Sequence, residues 1–157
     1  MDTVEVHGHS LGELEDYSVA RVDPQQLQSL WPAVFPHLVY GRKHLEEYLS
    51  LEDVYVMVYS GQMQMWLGIN EAQIELVGLT QALDYPRCRA LRFVWIGGSG
   101  VRHYQQYLDW LELCAKRNGC GKIEVLGRPG WLRVLAPHGY EPKATLLVKD
   151  ISGITEN

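Results

Sequence analysis

Ile96-Gly-Gly-Ser-Gly-Val-Arg-His-Tyr-Gln-Gln-Tyr-Leu-Asp-Trp-Leu-Glu-Leu-Cys-Ala-Lys-Arg-Asn-Gly119 is the stretch that decides the fold. An apolar, β-prone run from Ala90 to Ile96 leads into glycines at 97, 98 and 100. Tyr104, Tyr107, Leu108, Leu111, Cys114 and Ala115 then recur at the spacing of one helix face, which predicts a long amphipathic helix. Asn118-Gly119 supplies a residue that tolerates positive φ at its end, and Lys122 to Leu126 resumes as a strand. Strand, glycine turn, helix and strand make a right-handed crossover, so a parallel strand pair is expected at this point.

Upstream, Tyr17-Ser-Val-Ala-Arg-Val22 alternates as a strand does, and Asp23-Pro24 reads as an N-cap followed by proline at the first helical position. Leu27, Leu30, Trp31 and Val34 predict a helix that Pro36 should stop, and Arg42 to Leu49 predicts a second, shorter one. From Val54 the period shortens. Val54 to Tyr59 and Met63 to Ile69 read as a hairpin across Ser60-Gly61, and Ile74 to Leu83 and Ala90 to Ile96 add two strands joined across Asp84-Tyr-Pro86. An antiparallel meander of about four strands therefore precedes the crossover. Downstream, Trp131, Leu132 and Leu135 predict a short helix, Pro137-His-Gly139 a turn, and Thr145 to Val148 a final strand.

The expected class is α+β: a mixed, mainly antiparallel twisted sheet with one parallel pair and helices on both faces. At 157 residues and 46% apolar composition, one hydrophobic core is expected, spanning residues 17–151 between a polar leader (1–16) and a polar tail (152–157). The formal charge of −5 offers no basic stripe, which argues against nucleic acid and anionic membranes as partners. Cys88, Cys114 and Cys120 are odd in number and lack CxxC spacing, so neither a disulfide framework nor a zinc knuckle is expected. His7 and His9 share a strand face without a third ligand nearby, and no metal is expected. The acidic N-terminus does not read as a signal peptide, and no segment has the length of a membrane span.

The order of elements, the glycine-rich loop opening the central helix and the closing Gly139-Tyr140 together resemble the GNAT (N-acetyltransferase) superfamily over residues 17–151. Tyr85-Pro86, Trp95-Ile-Gly-Gly98, Gly119-Cys120, Gly127-Arg-Pro-Gly-Trp131, Gly139-Tyr140 and Val148-Lys-Asp150 look like a group of GNAT-like proteins found in tailed-bacteriophage genomes. The resemblance implies acetyl-CoA as cofactor if the chain is enzymatic. It also implies location in a host cytoplasm, with incorporation into the virion as a further option.

Within that resemblance, Gly97, Gly98, Ser99, Gly100 and Arg102 stand where the family cradles the pyrophosphate of coenzyme A. The same glycines would equally serve a tight strand-to-helix turn. Trp95 occupies a place where the family's loop carries Gln or Arg. Anchoring the family's later motif on Gly139-Tyr140 puts Arg128 at its Asn, Trp131 at its Ala, Val134 at its Leu, and Leu135 at the tyrosine that commonly protonates the leaving thiolate. Leucine has no proton to give, so Tyr140 or His138 would have to act as acid, with Glu75 or Asp84 as base. His103 reads as a surface or capping side chain, and Trp31, Trp66 and Trp95 as core.

Two readings follow. The first is a GNAT-fold protein with a degenerate acetyl-CoA site, serving as a non-catalytic structural or docking component of a virion or its assembly. Its partners would be phage structural proteins, a host protein or further copies of itself. The alternative is an acetyl-CoA-dependent N-acyltransferase acting on a protein or small amine.

Overall fold

The computed structural model describes residues 2–4, 17–45, 47–98, 103–127 and 129–156. The chain divides into two compact units, Met1–Leu126 and Gly127–Asn157. Most of the expected leader, with His7 and His9, lies outside the described residues.

The first unit is built on an open six-stranded sheet in sequence order: β1 (Asp2–Val4), β2 (Tyr17–Arg21), β3 (Gln64–Asn70), β4 (Gln73–Asp84), β5 (Arg89–Gly98) and β6 (Lys122–Val125). All neighbours run antiparallel except β5 and β6, which pair in parallel from Ala90↔Lys122 to Phe93↔Val125. Between them, α3 (Tyr104–Arg117) makes the crossover and ends at Asn118 ahead of Gly119, whose φ is +79°. The central expectation, a parallel pair inside an antiparallel sheet, is therefore met.

Helices cover both faces of this sheet. On one, α1 (Leu27–Gly41) and α2 (Leu51–Tyr59) bury Leu27, Val34, Leu38, Val54 and Val58 against Met65, Leu67, Val77, Leu79 and Trp95. On the other, Tyr107, Trp110, Leu111 and Cys114 of α3 meet Tyr17, Val19, Trp66, Leu76, Leu91 and Phe93. The strands are apolar on both sides because both sides are covered. Two irregularities exchange the sides. Glu75 is the extra residue between Gly68↔Leu76 and Ile69↔Ile74, and Val94 the extra residue between Leu79↔Trp95 and Thr80↔Phe93. Each inserts one residue against none, so Phe93 faces α3 while Trp95 faces α1.

Three expectations fail here for identifiable reasons. Val54 to Tyr59 is helix and not the first arm of a hairpin. Ser50 accepts from Asp53 N, while the Asp53 carboxylate accepts from Ser50 N, a reciprocal capping box that starts α2. Leu51, Val54 and Val58 also fit a helical face, and a short apolar run satisfies both periods. Pro36 does not stop α1, which runs through Pro32 and Pro36 to Gly41. Both prolines are solvent-exposed, so their rings displace no core group, and water can satisfy the Gln28 and Pro32 carbonyls they leave unpaired. The expected second helix over Arg42 to Leu49 is not seen among the described residues of that stretch, where Arg42–His44 forms a 3₁₀ turn.

The second unit contains α4 (Gly130–Leu135), continued by a 3₁₀ turn over Ala136–His138 that closes on Gly139 at φ +88°. The strand expected over Thr145 to Val148 is not formed: residues 140–150 carry no regular secondary structure. In this unit nothing supplies the neighbouring strand that such a segment needs.

Candidate functional site

The site expected from sequence lies where β5 meets α3. Strand β5 extends two residues further than the pattern indicated, so Gly97 and Gly98 belong to the strand and pair with Val77 and Leu76. Gly98 has φ +135°, and a Cβ there would collide with the Glu75 carbonyl oxygen. Close backbone approach at the Glu75 bulge therefore requires this glycine, whatever else it does. Ser99, Gly100, Arg102 and Arg128 lie outside the described residues.

On the opposite side of β5 the sheet opens. Pairing with β6 ends at Phe93↔Val125, closed by Leu126 N donating to Phe93 O at 3.0 Å, while β5 continues to Gly98. Five residues of β5, Val94 to Gly98, thus run on beyond the last β6 pair. The Val94 irregularity falls just past the last β6 pair and turns the Trp95 ring towards α1. There the ring lies over Gly97, its Nε1 donating to Gly41 O at 3.4 Å. Trp95 and Trp66 are buried and Trp31 packs against the first core, as their apolar context suggested.

At the other end of the bulge, Glu75 and His103 come together. His103 Nδ1 lies 2.5 Å from Glu75 Oε2, and Asn70 Nδ2 donates to Glu75 Oε1 at 3.0 Å. His103 is only 5% exposed, which corrects its reading as a surface side chain: it leaves the first turn before α3 and is covered by the Tyr17 ring, centroid to centroid 5.2 Å. An ionised carboxylate can only accept, so the His103 Nδ1–H donates to it. The Tyr17 hydroxyl is buried with no hydrogen-bond partner among the described residues. Burial, with the Glu75 charge adding to it, pushes this phenol far above its ordinary value, so it stays protonated. Sequence reasoning had Glu75 as a candidate base but missed its partner, because the two are 28 positions apart and only the bulge and crossover bring them together.

Asp84 is an exposed strand-end residue paired with Arg89 at 3.1 Å. In the second unit His138 is exposed on the 3₁₀ turn, and Tyr140 is half-buried with its amide donating to Leu135 O at 3.4 Å. Leu135 is 4% exposed, the buried anchor of α4. Gly139 closes the 3₁₀ turn in the left-handed conformation, at φ +88°. Among the described residues, no group of three or more His, Cys, Asp or Glu side chains could hold a metal ion, and no helix is long and apolar enough to cross a membrane.

No family model and no curated protein sequence matches this chain. Solved structures do. An aminoglycoside acetyltransferase from an uncultured soil metagenomic sample superposes with a TM-score of 0.67 at 9% identity, covering 87% of this chain and 99% of that one. The ribosomal-protein-alanine N-acetyltransferase of Brucella melitensis biovar Abortus 2308 gives 0.64 at 12% identity, over 85% and 99%. Glucosamine-6-phosphate N-acetyltransferase of Arabidopsis thaliana gives 0.57 at 11%, over 88% and 100%. With a mixed sheet carrying one parallel pair at the crossover helix, and with these neighbours, the chain has the fold of the GNAT acetyltransferases.

Proposed function

We propose that this chain uses the GNAT fold without acetyl-transfer chemistry, as a structural or docking component of a bacteriophage virion or of its assembly. The observation that carries the reading is Leu135. With the family's motif aligned on Gly139-Tyr140, as the resemblance implies, the position whose hydroxyl would reprotonate a departing thiolate holds a buried aliphatic side chain. Trp95 supports it. A large core ring packed against α1 stands where the family's loop, by the resemblance, carries Gln or Arg. Exposed aromatic residues give such a component surfaces to dock with: Phe35 and Tyr40 on α1, Tyr48 beyond it and Tyr59 on α2. The virion assignment rests on the sequence resemblance to phage-encoded GNAT-like proteins. Quantitative mass spectrometry of purified particles tests it. A fixed copy number per particle is expected; absence from particles, with the protein free in infected cells, removes the reading.

One observation favours the alternative, an acetyl-CoA-dependent N-acyltransferase. The Glu75–His103 pair is a partly buried carboxylate–imidazole couple beside the end of β5, the type of arrangement that accepts a proton from an amine. In that reading acetyl-CoA supplies the acyl group and lies along the free stretch of β5, with Gly97 to Gly100 and Arg102 towards its phosphates. Tyr140 or His138 serves as acid. Calorimetry with acetyl-CoA separates the two readings. Saturable micromolar binding that is lost on replacing Gly100 with tryptophan, together with turnover abolished by His103→Ala, establishes the enzyme; absence of binding at millimolar ligand retires it. Gly100 is the better probe because a side chain at Gly98 disrupts the strand pairing itself.

A further inference from the structure

The side of the sheet that α3 covers is not filled to its end. Past the last turn of the helix, a cavity of about 110 Å³ lies over β2 to β5. Trp66, Ala82, Leu91 and Ala115 give it apolar walls, and Arg21, Arg89 and Gln64 bring hydrogen-bond donors to it. Among the described residues no carboxylate lines it. It stands at the opposite end of α3 from Glu75 and His103, about 20 Å away along a helix of 14 residues.

The donors are set by their neighbours. Thr80, fully buried, accepts from Trp66 Nε1 at 2.8 Å and donates its hydroxyl proton to Gln64 Oε1 at 3.1 Å. This relay occupies the indole N–H and fixes the Gln64 amide, leaving Nε2 and its protons without a partner among the described residues. Arg89 places Nε against Asp84 at 3.1 Å and donates from Nη1 to the Asn118 carbonyl at 3.2 Å. Those contacts hold the guanidinium in place, and its Nη2 has no partner among the described residues. Arg21 adds a second guanidinium, whose five donors are not exhausted by one contact. Carbonyls at the end of α3 would oppose an anion, but they are already taken. Cys114 O accepts from Asn118 Nδ2 at 2.8 Å, Ala115 O from Cys120 N at 2.9 Å, and Asn118 O from Arg89. Lys116 and Arg117 in the last turn add positive charge.

Two guanidinium forks and an amide, set among apolar walls with no carboxylate between them, select an anion that has an apolar body. Size narrows the choice, since a cavity of about 150 Å³ holds a benzene ring and a smaller one takes about five or six non-hydrogen atoms. We propose that this cavity binds a small monocarboxylate, its charged end between Arg21 and Arg89 beside Gln64 Nε2 and its short alkyl chain against Trp66 and Leu91. The site is independent of whether the other end of α3 binds acetyl-CoA.

The experiment is a titration of the isotope-labelled full-length chain with butyrate, followed through the nuclear magnetic resonances of the Gln64 side-chain amide and the Trp66 indole. Saturable shifts of both, with a Kd of about 1 mM or below, are expected. Butyramide keeps the shape without the charge, and inorganic sulfate keeps a charge without the apolar body; each should bind about tenfold more weakly or worse. Arg21→Gln and Arg89→Gln, each confirmed as folded by its backbone spectrum, should weaken butyrate by about tenfold or more. No saturation up to about 50 mM butyrate overturns the proposal. So does butyramide or sulfate binding as tightly as butyrate, and so do folded arginine variants that both keep the wild-type affinity. The comparison of butyrate with butyramide uses the unaltered chain, so it decides the matter even where a substitution prevents folding.

Discussion

Single side chains in this protein are constrained mainly by backbone approach and by pairing across the sheet. Gly98 is the sharpest case, with φ +135° and no space for a Cβ beside the Glu75 carbonyl. Gly98→Ala should cost about 2–4 kcal/mol, read as a lowered urea midpoint at unchanged slope, because backbone strain and collision add. A loss below about 0.5 kcal/mol would show that the bulge relaxes freely. Glu124 makes a second, pH-dependent case. Burial pushes its carboxyl up, but hydrogen bonds from Arg92 (2.7 Å) and Tyr85 and the charges of Arg92 and Lys122 outweigh this and hold it below its ordinary value. A carboxyl lowered on folding stabilises above its unfolded value, near about 4.3, and that contribution is lost as the pH falls through the folded value. Both partners are about one-third exposed, so the gap between the wild type and Glu124→Gln should be about 1 kcal/mol or less at pH 7, closing by about pH 3. Thermal midpoints at the two pH values measure it, and a gap of constant size would contradict the assignment.

At the level of the element, α2 and α1 owe their existence to different causes. The nine residues of α2 start at a capping box, so Ser50→Ala, which leaves the Asp53 amide without its acceptor, should destabilise by about 1 kcal/mol in chemical denaturation. An unchanged midpoint would mean that packing of Val54 and Val58 alone holds the helix. α1 keeps its course through two prolines because the core side, Leu27, Val34 and Leu38, outweighs the lost hydrogen bonds on the water side. Pro32→Ala restores one of those bonds without touching the core, and should raise stability by about 1–3 kcal/mol. A lowered melting temperature would show that the proline ring packs on something of consequence.

Across the whole molecule, the sheet couples two cores that would otherwise be separate. Met65, Leu67, Val77 and Leu79 belong to one, and Trp66 and Leu76, their neighbours on the same strands, to the other. Leu67→Ala and Leu111→Ala, one on each face, should each cost about 2–5 kcal/mol and lower the same cooperative calorimetric transition of the first unit. Two resolved transitions moved separately by the two variants would refute this coupling. The same arrangement accounts for the apolar appearance of β3 to β5. Strands buried on both faces lose the alternation of apolar and polar residues, which is why Val54 to Tyr59 was readable as one more strand of the meander.

The sequence by itself determined the crossover. A glycine-bounded helix with an unbroken apolar face, set between two β-prone runs, has one favourable handedness, and the parallel pair follows. It also determined that Leu135, not tyrosine, precedes Gly139 by four positions. Tertiary structure alone decided the rest. Whether 51–59 is helix or strand depended on the face it buries, because a run of nine residues fits both periods. The pairing of Glu75 with His103 depended on a bulge that no local pattern marks, and it turned a side chain expected at the surface into a buried one. Thr145 to Val148 has the chemistry of a strand, yet a strand exists only where another supplies hydrogen bonds, and none does within its own unit.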